Sequence, residues 1–213
     1  MGDSVRRRHG RVAIARRVEG EATHRGICLA ELAEAPVYFV HLSAMEALKQ
    51  VVEARDRGIP VFAETCPHYL FFDESIYQDD SFEVAKYVMS PPLRSKEAQK
   101  DLWRALKFDD LQVVATDHCP YCMKEGHLGK INQKPYGEKD FSKIPNGAPG
   151  LQDRMTVVFD GGVKKGKLSI NRTNHKFRPF FYYTRCKRAC YHKPYTSNLI
   201  RILYSKTDQF IFL

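Results

Sequence analysis

No stretch of this sequence approaches the roughly 18 consecutive apolar residues that a transmembrane helix needs, so no membrane-spanning helix is expected. The arginine-rich start lacks the apolar segment of a secretory signal, and residues 1–17 show little of the amphipathic order of a transit peptide. No internal repeat is present, which excludes repeat architectures. No grouping of basic residues matches a nucleic-acid-binding module, although the formal net charge is +9. That charge belongs to the two ends. Residues 1–17 carry +5 and residues 171–213 carry +8, whereas 18–170 carry −4. The six cysteines, at 28, 66, 119, 122, 186 and 190, show no secreted disulfide framework, so reduced thiols and a cytoplasmic location are expected.

What is present is a domain-sized chain of ordinary globular composition, 43% hydrophobic and 28% charged. Three short apolar runs stand out. PVYFV ends in His41-Leu42-Ser43, IPVFA ends in Glu64-Thr65-Cys66-Pro67-His68, and LQVVAT ends in Asp117-His118. Uninterrupted apolar runs of this length suit strands buried on both faces of a parallel sheet. Each stops at a side chain able to bind metal or move protons, and in parallel β/α barrels the chemistry sits where strands end.

The segments between these runs read as helices. Residues 18–35 form a helix with Ala22, Ile27, Leu29, Ala30, Leu32 and Ala33 on a broad apolar face. Pro36 ends it and opens strand 37–42. Ser43 with Glu46 reads as a capping box for the next helix, which runs to about 57 and closes at Gly58 before strand 59–64. The spacing is that of a right-handed βαβ unit. A further element, 85–90, stops at Pro91-Pro92; helix 96–107 and strand 111–116 follow. The Gly/Pro/Lys-rich loop 118–150 is long enough to suggest function or disorder, and helix resumes over 151–161.

Taken singly, these motifs have ordinary readings. His41 alone would more often be a satisfied core histidine. An aspartate at the rim of a buried strand needs a partner, and Asp117 paired with His41 on one sheet makes a Zn²⁺ site credible. Cys119-Pro120-Tyr121-Cys122 has the spacing of a redox pair or of half a zinc site for which Cys186, Cys190 and His192 are the remaining candidates; its place after a late strand favours neither. Ile144-Pro145-Asn146-Gly147 is a strong turn signal, or a backbone segment offered to a ligand.

Together the motifs are more specific. The run GEATHRGICLAELAEAPVYFVHLSAMEAL, then IPVFAETCPHYL, KYVMSPPLRSKEAQKDLWRAL, LQVVATDHCP and FSKIPNGAPGLQDRM, in this order over about 18–170, closely resembles the dihydropyrimidinase/D-hydantoinase family of cyclic amidohydrolases. The resemblance implies an α/β fold, here a partial TIM-like (β/α)8 barrel of about the last three strands with their helices. It implies two Zn²⁺ ions as cofactor, a small cyclic amide or imide as substrate, and a homo-oligomer, a tetramer in the family. The implied reaction is hydrolytic opening of 5,6-dihydropyrimidines or hydantoins to N-carbamoyl amino acids. By position, His41 resembles the last histidine ligand and Asp117 the aspartate ligand and catalytic base. Ser90 in SPPLR and Asn146 in IPNG resemble the residues that hold the ring. His68, in TCPHYL, matches no ligand position and is expected to be structural.

The family's H-x-H pair occurs nowhere in the chain, and its carbamylated lysine and remaining histidine have no counterpart. The expected organisation is therefore a basic leader over 1–17, a partial barrel over 18–170, and a poorly ordered basic and aromatic tail over 171–213. An inactive fragment, a truncated or mis-spliced/frameshifted product of such a gene, is the expectation, with uncovered sheet edges and helix faces. A non-catalytic interaction protein of the same family is the alternative.

Overall fold

A computed structural model describes residues 12–123, 133–177 and 211–212. Its centre is a parallel sheet of β1 (Val37–Phe39), β2 (Val61–Thr65), β3 (Val113–Val114) and β4 (Ile211–Phe212), in the order β3-β2-β1-β4. The β1–β2 register places Val37 beside Val61 and Phe39 beside Ala63, and β2 continues into β3 with Thr65 beside Val114. β1 and β2 are joined through helix α2 (Met45–Asp56), which makes the expected βαβ unit. Val37, Val61, Ala63 and Val114 are sealed from solvent, in keeping with apolar runs that lack alternation.

The assigned strands are shorter than 37–42, 59–64 and 111–116 because the chain turns sharply at their ends. Hydrogen bonding continues past them: Leu42 N–H donates to the Glu64 carbonyl at 2.8 Å and Ala115 N–H to the Thr65 carbonyl at 2.9 Å. At the other end of β3, buried Gln112 takes over from the ladder. Its Oε1 accepts from Ala63 N–H at 2.9 Å, and its Nε2 donates to the carbonyls of Asp109 and Asp110.

Helix α1 (Val12–Leu32) starts earlier than residue 18, so the expected boundary at 17/18 falls inside it. Its buried stripe is Gly20, Thr23, Gly26, Ile27 and Ala30, linked by three- and four-residue spacings. These small residues let α1 lie close on α2: a Cβ at Gly20 would sit 2.9 Å from that of Glu46. The broad apolar face expected of this helix is thus corrected, because Leu29 and Leu32 point outward, 55% and 84% exposed.

Between β2 and β3 lie α3 (Pro67–Phe71), two 3-10 turns (Glu74–Gln78 and Phe82–Tyr87) and α4 (Lys96–Phe108). Leu70, Leu102, Trp103 and Leu106 close the core under the sheet, and the Trp103 indole donates to the Leu70 carbonyl at 3.3 Å. After the long loop come α5 (Arg154–Val158), a wider π-type turn (Phe159–Lys164) and α6 (Ile170–Lys176). Gly161 permits that turn to pass Phe71, whose ring would lie 2.2 Å from an added Cβ. The expected boundary at 170/171 falls within α6. Of the tail expected to be poorly ordered, residues 171–177 are held by the fully buried Lys176, whose ammonium meets Asp109 Oδ1 at 2.6 Å. Two more tail residues form β4, parallel to β1, with Val37 beside Ile211. Among the described residues no helix is long and apolar enough to cross a membrane.

Candidate active-site rim

The three strand ends meet on one edge of the sheet. Both His41 and Asp117 adopt left-handed backbone conformations, at φ 40 and φ 44. Histidine and aspartate are among the few residues other than glycine that enter this region readily, and such strain concentrates at functional sites. The effect is to turn each chain abruptly from strand to loop, leaving these residues at the rim. His41 is half-buried and Asp117 exposed.

Glu64, at the end of β2, ties the rim together. Its carboxylate accepts from the Tyr38 hydroxyl at 2.5 Å. Burial pushes the Glu64 carboxyl upward; the Tyr38 hydroxyl, the His41 backbone N–H and the His41 charge pull it back, while Asp117 pushes it up again. His41, Glu64 and Asp117 therefore share one electrostatic environment. Burial, with Glu64 next in effect, also raises the Tyr38 phenol. The sequence places Glu64 at a strand end and offers no signal for this role.

His68 is buried, packs edge-on to Tyr69 with ring centroids 4.2 Å apart, and its Nε2 has no hydrogen-bond partner among the described residues. Thr65 Oγ1, three residues earlier, is in the same situation. Burial lowers the His68 imidazole to about 4, against a partial opposing pull from Asp117. As pH falls from the ordinary imidazole value towards 4, the unfolded chain takes up a proton that the folded chain refuses, so stability declines over that window and levels off below it. The expected loss from this residue is about 3 kcal/mol between pH 7 and pH 4. Urea midpoints measured across that range should fall less steeply for His68→Phe than for the wild type.

The loop from 118 to 150 brings the two expected ring-holding segments together. Gly147 N–H donates to the Val88 carbonyl at 3.0 Å, and Cys119 N–H donates to the Ala148 carbonyl at 3.1 Å. Asn146 is thereby carried between the Ser90 segment and the continuation of β3. Gly147 has φ +149, and an added Cβ would lie 2.6 Å from the Cys119 carbonyl oxygen, so only glycine fits. The His118 Nδ1 accepts the N–H groups of Gly150 and Leu151, each at 3.2 Å, which fixes the tautomer with Nδ1 unprotonated. Ser90 and Asn146 are both exposed.

Sequence reasoning missed Lys134. Only 1% exposed, its ammonium donates to the Val88 carbonyl at 3.0 Å and the Pro145 carbonyl at 2.6 Å, and it lies 5.5 Å above the Tyr121 ring. It thus clamps the residue two before Ser90 to the residue immediately before Asn146. Lysines are rarely buried, so a lysine in a polar loop gives no signal of such a role.

Behind His41 the expected capping box does not form. The N-cap of α2 is Ala44, without a side-chain cap, and the Ser43 hydroxyl is engaged elsewhere. Glu19 of α1 does the capping instead. Its Oε1 accepts from Ser43 N–H at 2.8 Å and Ala44 N–H at 3.1 Å, and its Oε2 accepts from the Ser43 hydroxyl at 2.7 Å. Arg94 completes the network, donating to Glu19 at 2.6 Å and to Ser43 Oγ at 2.9 Å.

Of the C-x-x-C pair, Cys119 Sγ donates to the Tyr121 hydroxyl at 3.3 Å, and both thiols are free. Cys186, Cys190 and His192 lie outside the described residues. Among the described residues no group of three or more His, Cys, Asp and Glu is gathered tightly enough to hold a metal by itself. His41 and Asp117 carry nitrogen and oxygen donors of the kinds divalent cations take, and two such residues are fewer than a closed metal site uses.

No family model matches the chain. Individual relatives do. A D-hydantoinase of Streptomyces coelicolor is 50% identical over 163 residues, covering 76% of this chain and 33% of that protein. A D-hydantoinase of Geobacillus stearothermophilus is 46% identical over 155 residues, covering 73% and 31%. Among solved structures, the dihydropyrimidinase from Brevibacillus agri superposes with a TM-score of 0.68 at 48% identity, over 73% of this chain and 32% of that one. The chain spans about a third of the length of the curated relatives it matches.

Proposed function

Because this chain belongs to the D-hydantoinase/dihydropyrimidinase family and corresponds to about one third of its members' length, we propose that it supplies one sector of a cyclic-amide hydrolase. The observation carrying this reading is that His41 and Asp117, matched by the family resemblance to ligand positions, are the two strand-end residues held in left-handed conformations. The substrate class is 5,6-dihydropyrimidines or hydantoins, opened to N-carbamoyl amino acids. A homo-oligomeric, cytoplasmic protein is part of the same proposal, and residues 18–170 are its amidohydrolase portion.

His41 and Asp117 are the residues of this chain that would hold metal. When bound, a pair of Zn²⁺ ions would generate hydroxide from water near neutral pH and polarise the ring carbonyl. Asp117 accepts the proton of the attacking water at its carboxylate and delivers it to the departing ring nitrogen. Ser90 and the backbone at Asn146 hold the imide edge, and Lys134 keeps their two segments in register. Glu64 and Tyr38 support the His41 backbone from behind the rim. By itself the chain contributes too few ligands for a two-metal centre, so hydrolysis requires the H-x-H, lysine and histidine ligands from other sequence.

Calorimetric zinc titration tests the ligand assignment, with Cys119 and Cys122 changed to serine to remove a competing thiol pair. Either His41→Ala or Asp117→Ala should weaken binding by about tenfold or more. Equal affinity in all three proteins would overturn the assignment.

A further inference from the structure

Away from the rim, α1 and α2 assemble a second group of reactive side chains. Cys28 Sγ lies 3.6 Å from His24 Nε2, one helical turn earlier on α1. The other imidazole nitrogen, Nδ1, is 2.9 Å from Gln50 Oε1 on α2. The amide oxygen can only accept, so Nδ1 carries the proton and Nε2 presents a lone pair to the thiol. A nucleophile, a base and a third group orienting that base are the parts of an activated thiol. His24 is exposed and Cys28 half-buried, so small molecules reach the sulfur.

The other described thiols differ. Cys66 is fully buried, and burial followed by the negative charges of Glu64 and Asp117 pushes its thiol far up. Cys119 is engaged with the Tyr121 hydroxyl rather than with a base. Among the described cysteines only Cys28 faces an imidazole lone pair.

We propose that Cys28 is a thiol-modification site that takes low-molecular-weight disulfides, with His24 as its base and Gln50 as the positioning residue. His24 Nε2 removes the thiol proton, and the thiolate attacks one sulfur of the incoming disulfide. A new S–S bond forms to Cys28 as the original S–S bond breaks. The electron pair leaves with the second sulfur, which takes up the proton from the imidazolium. The disulfide is the oxidant: one half is released as thiol, and Cys28 ends as a mixed disulfide. The product places a bulky group on α1 beside the His24–Gln50 contact with α2.

The test is exposure of the full chain to glutathione disulfide at neutral pH, with acid quenching and peptide mass mapping of each cysteine over time. Cys28 should be modified on the order of tenfold faster than Cys122. His24→Gln should bring Cys28 down to the Cys122 rate, and Gln50→Leu should slow it in part. Gln50→Glu, which keeps an acceptor for Nδ1–H, should restore it. Unchanged circular dichroism of the variants separates these effects from unfolding. Cys28 reacting no faster than Cys122, or at the same rate after His24→Gln, would overturn the proposal.

Discussion

Replacing Glu19 with alanine will lower the stability of the chain by about 3–5 kcal/mol, the range for breaking a buried ion pair from one side. Arg94 is 3% exposed and Glu19 15% at the side chain, so the guanidinium would lose its carboxylate in a place where water cannot fully replace it. The two N–H groups at the start of α2 would lose their acceptor at the same time. Urea denaturation measures the effect as a lower midpoint with an unchanged slope. Glu21→Ala is the control: its pair with Arg25 is on the surface, 60% and 66% exposed, and its removal should leave the midpoint unmoved. A Glu19→Ala midpoint equal to that of Glu21→Ala would remove the network from the account.

The second large effect concerns activity. In a chimera where residues 18–170 replace the matching third of the Streptomyces coelicolor D-hydantoinase, Asp117→Ala should reduce kcat/KM for hydantoin by about 10²–10⁴, the usual contribution of a positioned acid–base group. The residue would lose both its proton-transfer role and its place as a ligand, so the fall should appear in kcat more than in KM. Lys134→Met should behave differently. Loosening the clamp between the Ser90 and Asn146 segments should raise KM first, because the proposed role of those segments is to position the ring rather than react with it. Steady-state kinetics of the two variants separate these roles.

The βαβ centre was legible in the sequence because its signals are local. Apolar runs without alternation marked buried strands, Pro36 and Gly58 marked boundaries, and the α2 face at Ala47, Leu48 and Val51 followed helical period. What could not be read depended on residues far apart in sequence. Ser43 and Glu46 had the spacing of a cap, but Glu19 won through tertiary contact, 24 residues away. The apolar face of α1 was drawn too wide because the helix packs through Gly20 and Thr23, whose small size matters more than hydrophobicity. Buried Lys134 and Lys176 could not be anticipated, since their burial depends on carbonyls and a carboxylate brought close only by folding.

His41 and Asp117 were located because the family resemblance named them. Composition alone would have left His41 an ordinary core histidine. The structure adds their shared left-handed geometry and the Glu64–Tyr38 pair between them. It also turns Ser90 and Asn146 from separate motifs into segments joined by Val88, Lys134 and Gly147.

Hydantoin hydrolysis by that chimera, compared with the parent enzyme and with the isolated chain under added Zn²⁺, tests whether His41 and Asp117 serve the proposed hydrolase. The chimera should open the ring, His41→Ala or Asp117→Ala should suppress the reaction, and the isolated chain should show none. A folded, zinc-loaded chimera that leaves hydantoin intact, or one that hydrolyses it equally well without His41 and Asp117, would contradict that role.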